Sequence, residues 1–491
     1  MRSIGFFASC LIASVAPCLA EVNVTEQVSR QILPSSFTPP QVFQHANLVR
    51  TISLAKSYTR ETVNVVVENV DKKEQTEYYI PFEASVISRI GGLEVRDKNN
   101  DQTRFTDVDS VEFDAESATQ YYRVKFPKAL APKEKITLSI SWATLATLNP
   151  LPAKIEQSAK QYVQYSFSAY TPSAYKSVKQ KTNVKLPSVD VPDYTKLEKN
   201  ADGKEDPQKQ GNTFTYGPYA DIPAGATQQV SIRYDFTKPL LHASLLERDI
   251  EVSHWGGNLA FEERYFLENR GAELESQFSR VKWQQMQYYN PPTSAAKELH
   301  FPLAVGSMNP YFTDDIGNVS TSRFRSNSRE ANLELKPRYP LFGGWKYKFR
   351  IGWDTDLKKS LRKLKTGDGY VLKVPFLEGP KEAEGVEYER VVLNIILPEG
   401  ATNVKFDTTA HIISSETTVH NTFMDTLGRT ALKLTAINVV DDARDRDIIV
   451  TYDYSFFAGF RKPIVITSSM LGLFVAAWIV SQMDVSIGRK R

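Results

Sequence analysis

From Ile464 to Met483 the chain runs 20 residues without a charged side chain. That is about the length an α-helix needs to cross the ~30 Å hydrocarbon core of a bilayer. A chain that places such a segment in lipid must build everything else on one side of it or the other. Arg461-Lys462-Pro463 precede the run; Asp484 and then Arg489-Lys490-Arg491 follow it. At the opposite end, Arg2, the short apolar stretch Ile4 to Val15 and the small-residue exit Cys18-Leu19-Ala20 read as a signal peptide, 1–20, cut ahead of Glu21. The expected topology is therefore single-pass type I: a mature N-terminus in the lumen, a span at 464–483 and a cytoplasmic tail at 484–491. The basic triplet at the end agrees with the positive-inside rule, whereas Arg461 and Lys462 run against it. Phe456, Phe457 and Phe460 are expected at the lumenal headgroups.

The two cysteines, Cys10 and Cys18, both lie in the signal. A disulfide scaffold, a zinc-thiolate site and a cysteine nucleophile are thereby excluded from the mature chain. Without disulfides, the 443 residues from Glu21 to Pro463 need apolar cores, and they suffice for two. The formal charge of +3 becomes +2 once Arg2 is removed, with both signs interspersed, which gives no footing for a nucleic-acid partner. Sequons at Asn23 (Asn23-Val24-Thr25) and Asn318 (Asn318-Val319-Ser320) make those two asparagines candidate glycosylation sites on the lumenal side.

Strand signals dominate the body. Thr62 to Val67, Lys135 to Trp142, Gln229 to Tyr234 and Arg390 to Leu397 alternate or run β-branched, and turn formers such as Gly91-Gly92 and Pro398-Glu399-Gly400 separate them. Lys199 to Asn212 reads as a solvated loop. The two halves repeat weakly: Val184-Lys185-Leu186-Pro187 against Ile395-Ile396-Leu397-Pro398, and Ile140-Ser141-Trp142 against Ile351-Gly352-Trp353, both offset by 211 (397 − 186 and 353 − 142). Ile232 to Phe236 matches Val450 to Tyr454 at an offset of 218 (453 − 235). The expected fold is mainly β: two tandem antiparallel β-sandwich-like lumenal domains, 21–239 and 240–460, followed by a single C-terminal transmembrane helix.

Chemistry is conspicuous for what is missing. The six histidines (His45, His242, His254, His300, His411, His420) show no paired metal-ligand spacing, and no Gly-x-Ser-x-Gly elbow, P-loop or dinucleotide fingerprint occurs. Three Asp-x-Asp pairs, Asp107/Asp109, Asp354/Asp356 and Asp445/Asp447, have the ligand type of a divalent-metal site but no βαβ frame around them, and read as solvated turns. No catalytic residue, metal site or cofactor is expected. The basic run Lys358, Lys359, Arg362, Lys363, Lys365 reads first as a solvated loop and second as a surface for anionic headgroups or a partner.

One block is far more specific. Tyr311-Phe312-Thr313-Asp314-Asp315-Ile316-Gly317-Asn318-Val319-Ser320-Thr321-Ser322 leads through Ser328-Arg329-Glu330 to Leu333-Glu334-Leu335-Lys336-Pro337-Arg338-Tyr339-Pro340-Leu341-Phe342-Gly343-Gly344-Trp345-Lys346. Leu397 to Ala401, Asp425 to Arg429 and Met483 to Ile487 follow in order. This series closely resembles the ribophorin I family, a subunit of the endoplasmic-reticulum oligosaccharyltransferase. The resemblance covers most of the mature chain and is strongest from about 301 to 454. It implies a non-catalytic, accessory role in protein N-glycosylation. In that reaction a preassembled glycan passes from dolichyl diphosphate to Asn in Asn-x-Ser/Thr sequons of nascent chains. Implied partners are the other subunits, including the polytopic catalytic one, with nascent polypeptide and the translocon. A tail of only eight residues weakens any translocon contact made through it. Gly488 to Arg491 is no retrieval signal, so residence in the endoplasmic-reticulum membrane is expected from assembly. The alternative class is a single-pass receptor or adhesion protein with sandwich domains.

Two structural roles fit such a body: bracing the catalytic subunit, or pairing an extended acceptor with a sheet edge. Tyr339 to Trp345 reads as a corner stiffened by Pro340, with Gly343-Gly344 supplying positive φ. In the span, Ser468, Gly472 and Ala476 recur every four residues, a small-residue stripe expected to dock a partner's transmembrane helix.

Overall fold

The structure, a computed structural model, describes residues 32–33, 37–98, 108–110, 112–113, 118–198, 203, 205–289, 291–365, 367–422 and 425–482. β-Branched runs become half-buried strands. In Thr59–Asn69 the side chains alternate between core and surface throughout, as a pleat with one covered face requires.

Seven strands form the large sheet of the first half. Their spatial order is Gln208–Gln210, Thr213–Ile222, Lys176–Lys185, Phe43–Ser53, Thr59–Asn69, Lys135–Thr144, Ile90–Asp97. The large sheet of the second half runs Ser414–His420, Arg429–Val440, Glu387–Glu399, Leu241–Ser253, Asn258–Asn269, Lys346–Asp356, Met308–Asp314, with Gly317–Asn318 added at the end. The two orders are the same. Each half also carries a three-stranded and a four-stranded sheet of matching order, for example Asn149–Pro150, Tyr162–Ser168, Gln229–Asp235, Asp193–Tyr194 against Leu361–Lys363, Gly369–Pro375, Asp447–Asp453, Thr402–Thr408. All three motif pairs noted in the sequence fall on equivalent strands or run directly on from them. Ile140-Ser141-Trp142 and Ile351-Gly352-Trp353 lie on the sixth strand of each order.

The large sheets are mixed, not purely antiparallel. Lys176–Lys185 runs parallel to Phe43–Ser53, and Glu387–Glu399 runs parallel to Leu241–Ser253. Between those neighbours the chain leaves to build the smaller sheets, and only such a long crossover lets it return in the same direction. A second difference concerns Lys199 to Asn212. Its end forms the edge strand Gln208–Gln210, and Asp206 is buried, accepting from Gly217 N at 3.1 Å and Tyr219 Oη at 2.6 Å. At the Tyr339–Trp345 corner only Gly344 takes a positive φ, +77°. Gly343 is needed for closeness, since a Cβ there would sit 2.1 Å from the Ala272 carbonyl oxygen.

The halves are sewn together. Asn438, held at φ +51°, donates from Nδ2 to the carbonyls of Ser88 (2.7 Å) and Ile90 (3.0 Å). Gly91 leaves room for the Asn438 carbonyl, which a Cβ would approach to 1.6 Å. Lys56 pairs with Asp441 at 2.6 Å, Arg60 with Asp442, and Arg446 with Glu94. Tyr58, Ala143, Leu145 and Val440 form a small apolar cluster across the seam. From Asp453 the chain passes directly into the 27-residue helix Phe456–Gln482, whose most apolar 18-residue stretch has a mean hydropathy of 2.1, long and apolar enough to cross a bilayer.

Candidate functional site at the helix junction

Pro463 sits inside this helix and has no N–H to give to the carbonyl four residues back, that of Gly459. An unpaired carbonyl is costly near a bilayer. The turn between Leu241–Ser253 and Asn258–Asn269 supplies the missing donor: Trp255 Nε1–H reaches Gly459 O at 3.0 Å. The body thus repairs the defect that proline makes in the helix, and Trp255 lies over its first turns with its ring largely exposed.

Two further segments grip the same turns. Lys462 Nζ donates to Asp425, whose carboxylate is 1 % exposed and also accepts from Thr422 N at 2.8 Å and Thr422 Oγ1 at 2.6 Å. Burial alone would raise the Asp425 pKa, but the bonds from Lys462 and Thr422 outweigh it and hold the group at about 2. Lys462 is therefore a neutralised charge at the start of the helix. Beside it, Glu399 accepts from Thr426 N (2.9 Å), Leu427 N (2.8 Å) and Thr426 Oγ1. These bonds lower its pKa against the effect of burial. Gly400, at φ +92°, brings its backbone to the helix so closely that a Cβ would lie 3.0 Å from that of Ala458. Leu397 to Ala401 and Asp425 to Arg429, separate in sequence, meet at one place. Behind them His254 donates to or accepts from Tyr452 Oη at 2.7 Å and packs on Tyr370 and Tyr454, with burial lowering its pKa.

Asn318 lies exposed on the short strand Gly317–Asn318, anchored by buried Val319. Its carbonyl accepts from Arg338 Nη2 at 3.0 Å, and Arg338 also pairs with Asp314. Asp314 caps the turn by accepting from Ile316 N and Gly317 N, both at 3.0 Å. The long block that carries the resemblance thus builds a braced hairpin that leaves the asparagine side chain exposed. Asn23 lies outside the described residues. Ser468, Gly472 and Ala476 share one helix face, and a Cβ at Gly472 would meet nothing within 4 Å.

Three aspartates of the Asp-x-Asp pairs are held in structural contacts. Asp354 accepts from Asn258 Nδ2 at 2.8 Å and Asn309 Nδ2 at 3.2 Å, Asp356 caps the helix Leu357–Ser360 through Lys358 N, and Asp447 pairs with Lys373 at 2.8 Å. Asp107 lies outside the described residues. No group of three or more His, Cys, Asp or Glu side chains is arranged to hold a metal ion among the described residues. His45 is buried between Tyr78 Oη (3.0 Å) and Ser173 Oγ (3.2 Å), its pKa pushed down to about 3 by burial.

The family model of ribophorin I matches residues 43–481, from the first strand of the large sheet to the end of the helix. The chain belongs to the ribophorin I family. It is 30 % identical over 442 residues to the Schizosaccharomyces pombe "Dolichyl-diphosphooligosaccharide--protein glycosyltransferase subunit 1", covering 90 % of this chain and 95 % of that one. The Caenorhabditis elegans protein of the same name is 31 % identical over 448 residues, covering 90 % and 72 %. The Arabidopsis thaliana subunit 1B is 31 % identical over 463 residues, covering 93 % and 96 %. In this ribophorin I family member the whole junction, from Trp255 to Lys462, falls inside the matched region. Sequence reasoning quoted the Glu399 and Asp425 segments without a role and missed Trp255. A proline inside an otherwise continuous helix was the one available signal that a donor was owed to Gly459.

Proposed function

We propose that this chain is an accessory, non-catalytic subunit of an oligosaccharyltransferase complex, supporting glycan transfer from dolichyl diphosphate to sequon asparagines. The observation that carries it is the likeness, over 90 % of the chain, to a protein named as subunit 1 of that transferase. In this reading the body, 21–460, is lumenal in the endoplasmic reticulum, the helix spans its membrane, and catalysis belongs to a polytopic partner. The clasp of Trp255, Asp425 and Gly400 on the first helical turns supports bracing: a body gripped at three places is held rigidly to its helix. Nascent polypeptide and the translocon remain neighbours of the complex as a whole.

Affinity purification of the full chain in mild detergent tests this. A polytopic transferase subunit should co-purify; a chain that comes down alone or with a soluble ligand supports the receptor reading instead. The same experiment tests the stripe Ser468, Gly472, Ala476 as the face against a partner helix. Gly472→Leu should weaken recovery of partners, whereas Leu471→Ile, on another face, should not. Asn23 and Asn318 are the glycan acceptors in this reading, supported for Asn318 by its exposed side chain, and peptide mass spectrometry finding both unmodified counts against it. The body divides at Lys238-Pro239 into units 21–239 and 240–460, supported by the repeated sheet order; a fragment ending at Pro239 that fails to fold counts against that boundary.

A further inference from the structure

The segment 357–369 contains five cations, Lys358, Lys359, Arg362, Lys363 and Lys365, and one carboxylate, Asp368. It forms the short helix Leu357–Ser360, the edge strand Leu361–Lys363 and the turn into Gly369–Pro375. All five cations are exposed, and none is in an ion pair among the described residues. Lys359 is tied to Val305 O at 2.6 Å, and Arg362 bonds backbone carbonyls of its own turn. Lys363 lies over the Tyr370 ring at 5.7 Å. Exposed cations without a carboxylate partner occur elsewhere on the protein too, but here a dense group of five falls within eight residues, 358–365.

Its location gives the reason. Gly369 pairs with Asp453, three residues before the helix Phe456–Gln482 begins, and Tyr454 N bonds Asp368 O at 2.9 Å. The hairpin tip therefore points the way the chain leaves for the helix. At the other end of the segment, Leu357 N bonds Gly257 O at 2.9 Å, in the turn that carries Trp255. Around one rim lie the cations, the exposed apolar Leu364 at the tip (48 %), Trp255 (71 %), Phe456 (72 %) and Phe457 (79 %). Phe456 is eight residues before Ile464, roughly 12 Å along an upright helix. That puts the rim near the headgroup layer, which adds about 5–8 Å to each side of the hydrocarbon, and within about one to two Debye lengths of it at physiological salt.

We propose that this rim is a lipid-contacting surface, with Lys358, Arg362, Lys363 and Lys365 engaging anionic phospholipid headgroups while Leu364 and Trp255 enter the interface. Cations beside exposed aromatic and aliphatic side chains are the pattern of a segment lying in the interface rather than of a solvated loop. The contact gives the body a second foothold beside the span and so fixes its tilt, which one helix alone leaves free.

The inference rests on the span assigned to the helix, and the test separates the two. Beyond Cys18 the sequence has no cysteine, so single fluorophores can be placed on the full chain in nanodiscs at Leu364→Cys, Val189→Cys and Leu471→Cys. Headgroup-nitroxide lipid should quench the label at 364 about twofold more in phosphatidylinositol-rich discs than in phosphatidylcholine discs. The excess should vanish at about 1 M salt, where the Debye length is ~3 Å. It should also vanish when Lys358, Arg362, Lys363 and Lys365 are all changed to Gln. The label at Val189, exposed in the first half, should respond to neither lipid. Quenching at 364 equal to that at 189 overturns the proposal. So does protection at 364 that needs co-purified subunits and ignores lipid charge, which marks a protein contact. If acyl-chain nitroxides fail to quench at 471, the span itself is wrong, whatever 364 shows.

Discussion

An arginine recurs at the same place in both halves and meets different company. Arg50 lies opposite Thr182 and Arg248 opposite Leu393 in the two parallel ladders, two residues before Ile52 and Ile250, which oppose the repeat residues Val184 and Ile395. Arg248 is fully buried between Glu263 and Glu378 (2.7 Å to the latter), with its guanidinium 5.1 Å from the Phe261 ring centre and 5.9 Å from that of Trp353. Arg50 has Glu61, at 2.6 Å, and the Ser168 carbonyl, at 2.9 Å. The difference lies in one connector. Residues 169–175 link Tyr162–Ser168 to Lys176–Lys185, whereas the longer 376–386 links Gly369–Pro375 to Glu387–Glu399. The longer connector folds Leu377 and Glu378 onto the sheet, both buried. The shorter one leaves a cavity of about 310 Å³ lined by Arg50, Glu61, Trp142, Tyr165 and Thr171. Two copies of one frame thus differ in whether the core is closed, and a few loop residues decide it.

The largest effect expected from this contrast is at Arg248. Arg248→Ala strands two buried carboxylates and should destabilise by about 3–5 kcal/mol, the usual result of removing one partner from a buried pair. Arg50→Ala leaves one, Glu61, which keeps a bond from Tyr165 Oη at 3.3 Å and faces the cavity, so about 2 kcal/mol or less is expected. Urea unfolding of both full-length variants checks this; equal losses would erase the distinction between the halves. Next in size is the seam. Gly91→Ala forces a methyl into the Asn438 carbonyl and should cost about 1–3 kcal/mol, as overpacking does. The loss should fall on the contact between halves, so the thermal transition is expected to split in two. A single, merely shifted transition would mean that the halves do not unfold separately.

A smaller effect should appear as a pH slope. Burial, with the nearby charge of Glu263, raises the pKa of Glu378 despite its bond to Arg248. A raised folded value means that the group's contribution is present in full below its unfolded pKa of about 4.5 and is lost as pH rises through the folded one. Glu378→Gln, uncharged throughout, should therefore gain on wild type as pH climbs from 4.5, measured as the difference in urea midpoint. Asp425 has the opposite sign: its contribution is present above 3.8 and lost only as pH falls towards about 2, so it cannot counterfeit that slope. A difference in midpoint that stays flat from pH 4.5 to 8 would show that Glu378 is not the strained carboxylate of the second half.

Which of these features were readable in the sequence follows from their range. The span, the strands around Thr62–Val67 and Lys135–Trp142, and the three repeat pairs are local patterns, and each lies where periodicity or spacing put it. The parallel ladders, the Trp255–Gly459 bond, 204 residues apart in sequence, and the Lys462–Asp425 pair depend on which distant segments meet, which no local period encodes. The basic run is the intermediate case. Its charges were evident at once, but only the pairing of Gly369 with Asp453 shows that they stand beside the helix. The cavity was illegible for a further reason: it arises from a difference in length between two connectors, visible only once the strands they join are known to be equivalent.

The smallest predicted effect asks what fills that cavity. Thr171 is 4 % exposed, lines the cavity, and its Oγ1 has no protein partner among the described residues. Arg50, Glu61, Ser166, Ser173 and Gln229 line the same space, so the walls offer several hydrogen-bonding groups. A polar space much larger than the ~30 Å³ share of one water holds solvent rather than staying dry. The hydroxyl is then satisfied, and Thr171→Val, which keeps the shape and removes the bond, should lower stability by about 1 kcal/mol. Had the hydroxyl been buried in a dry space, the same change would remove an unmet polar group and raise stability instead. The sign of the shift in urea midpoint separates the two. A gain would mean that the first half is as dry as the second and merely less well filled. A loss makes it the one hydrated core of the pair, open to solvent at the place where its twin is closed by Leu377 and Glu378.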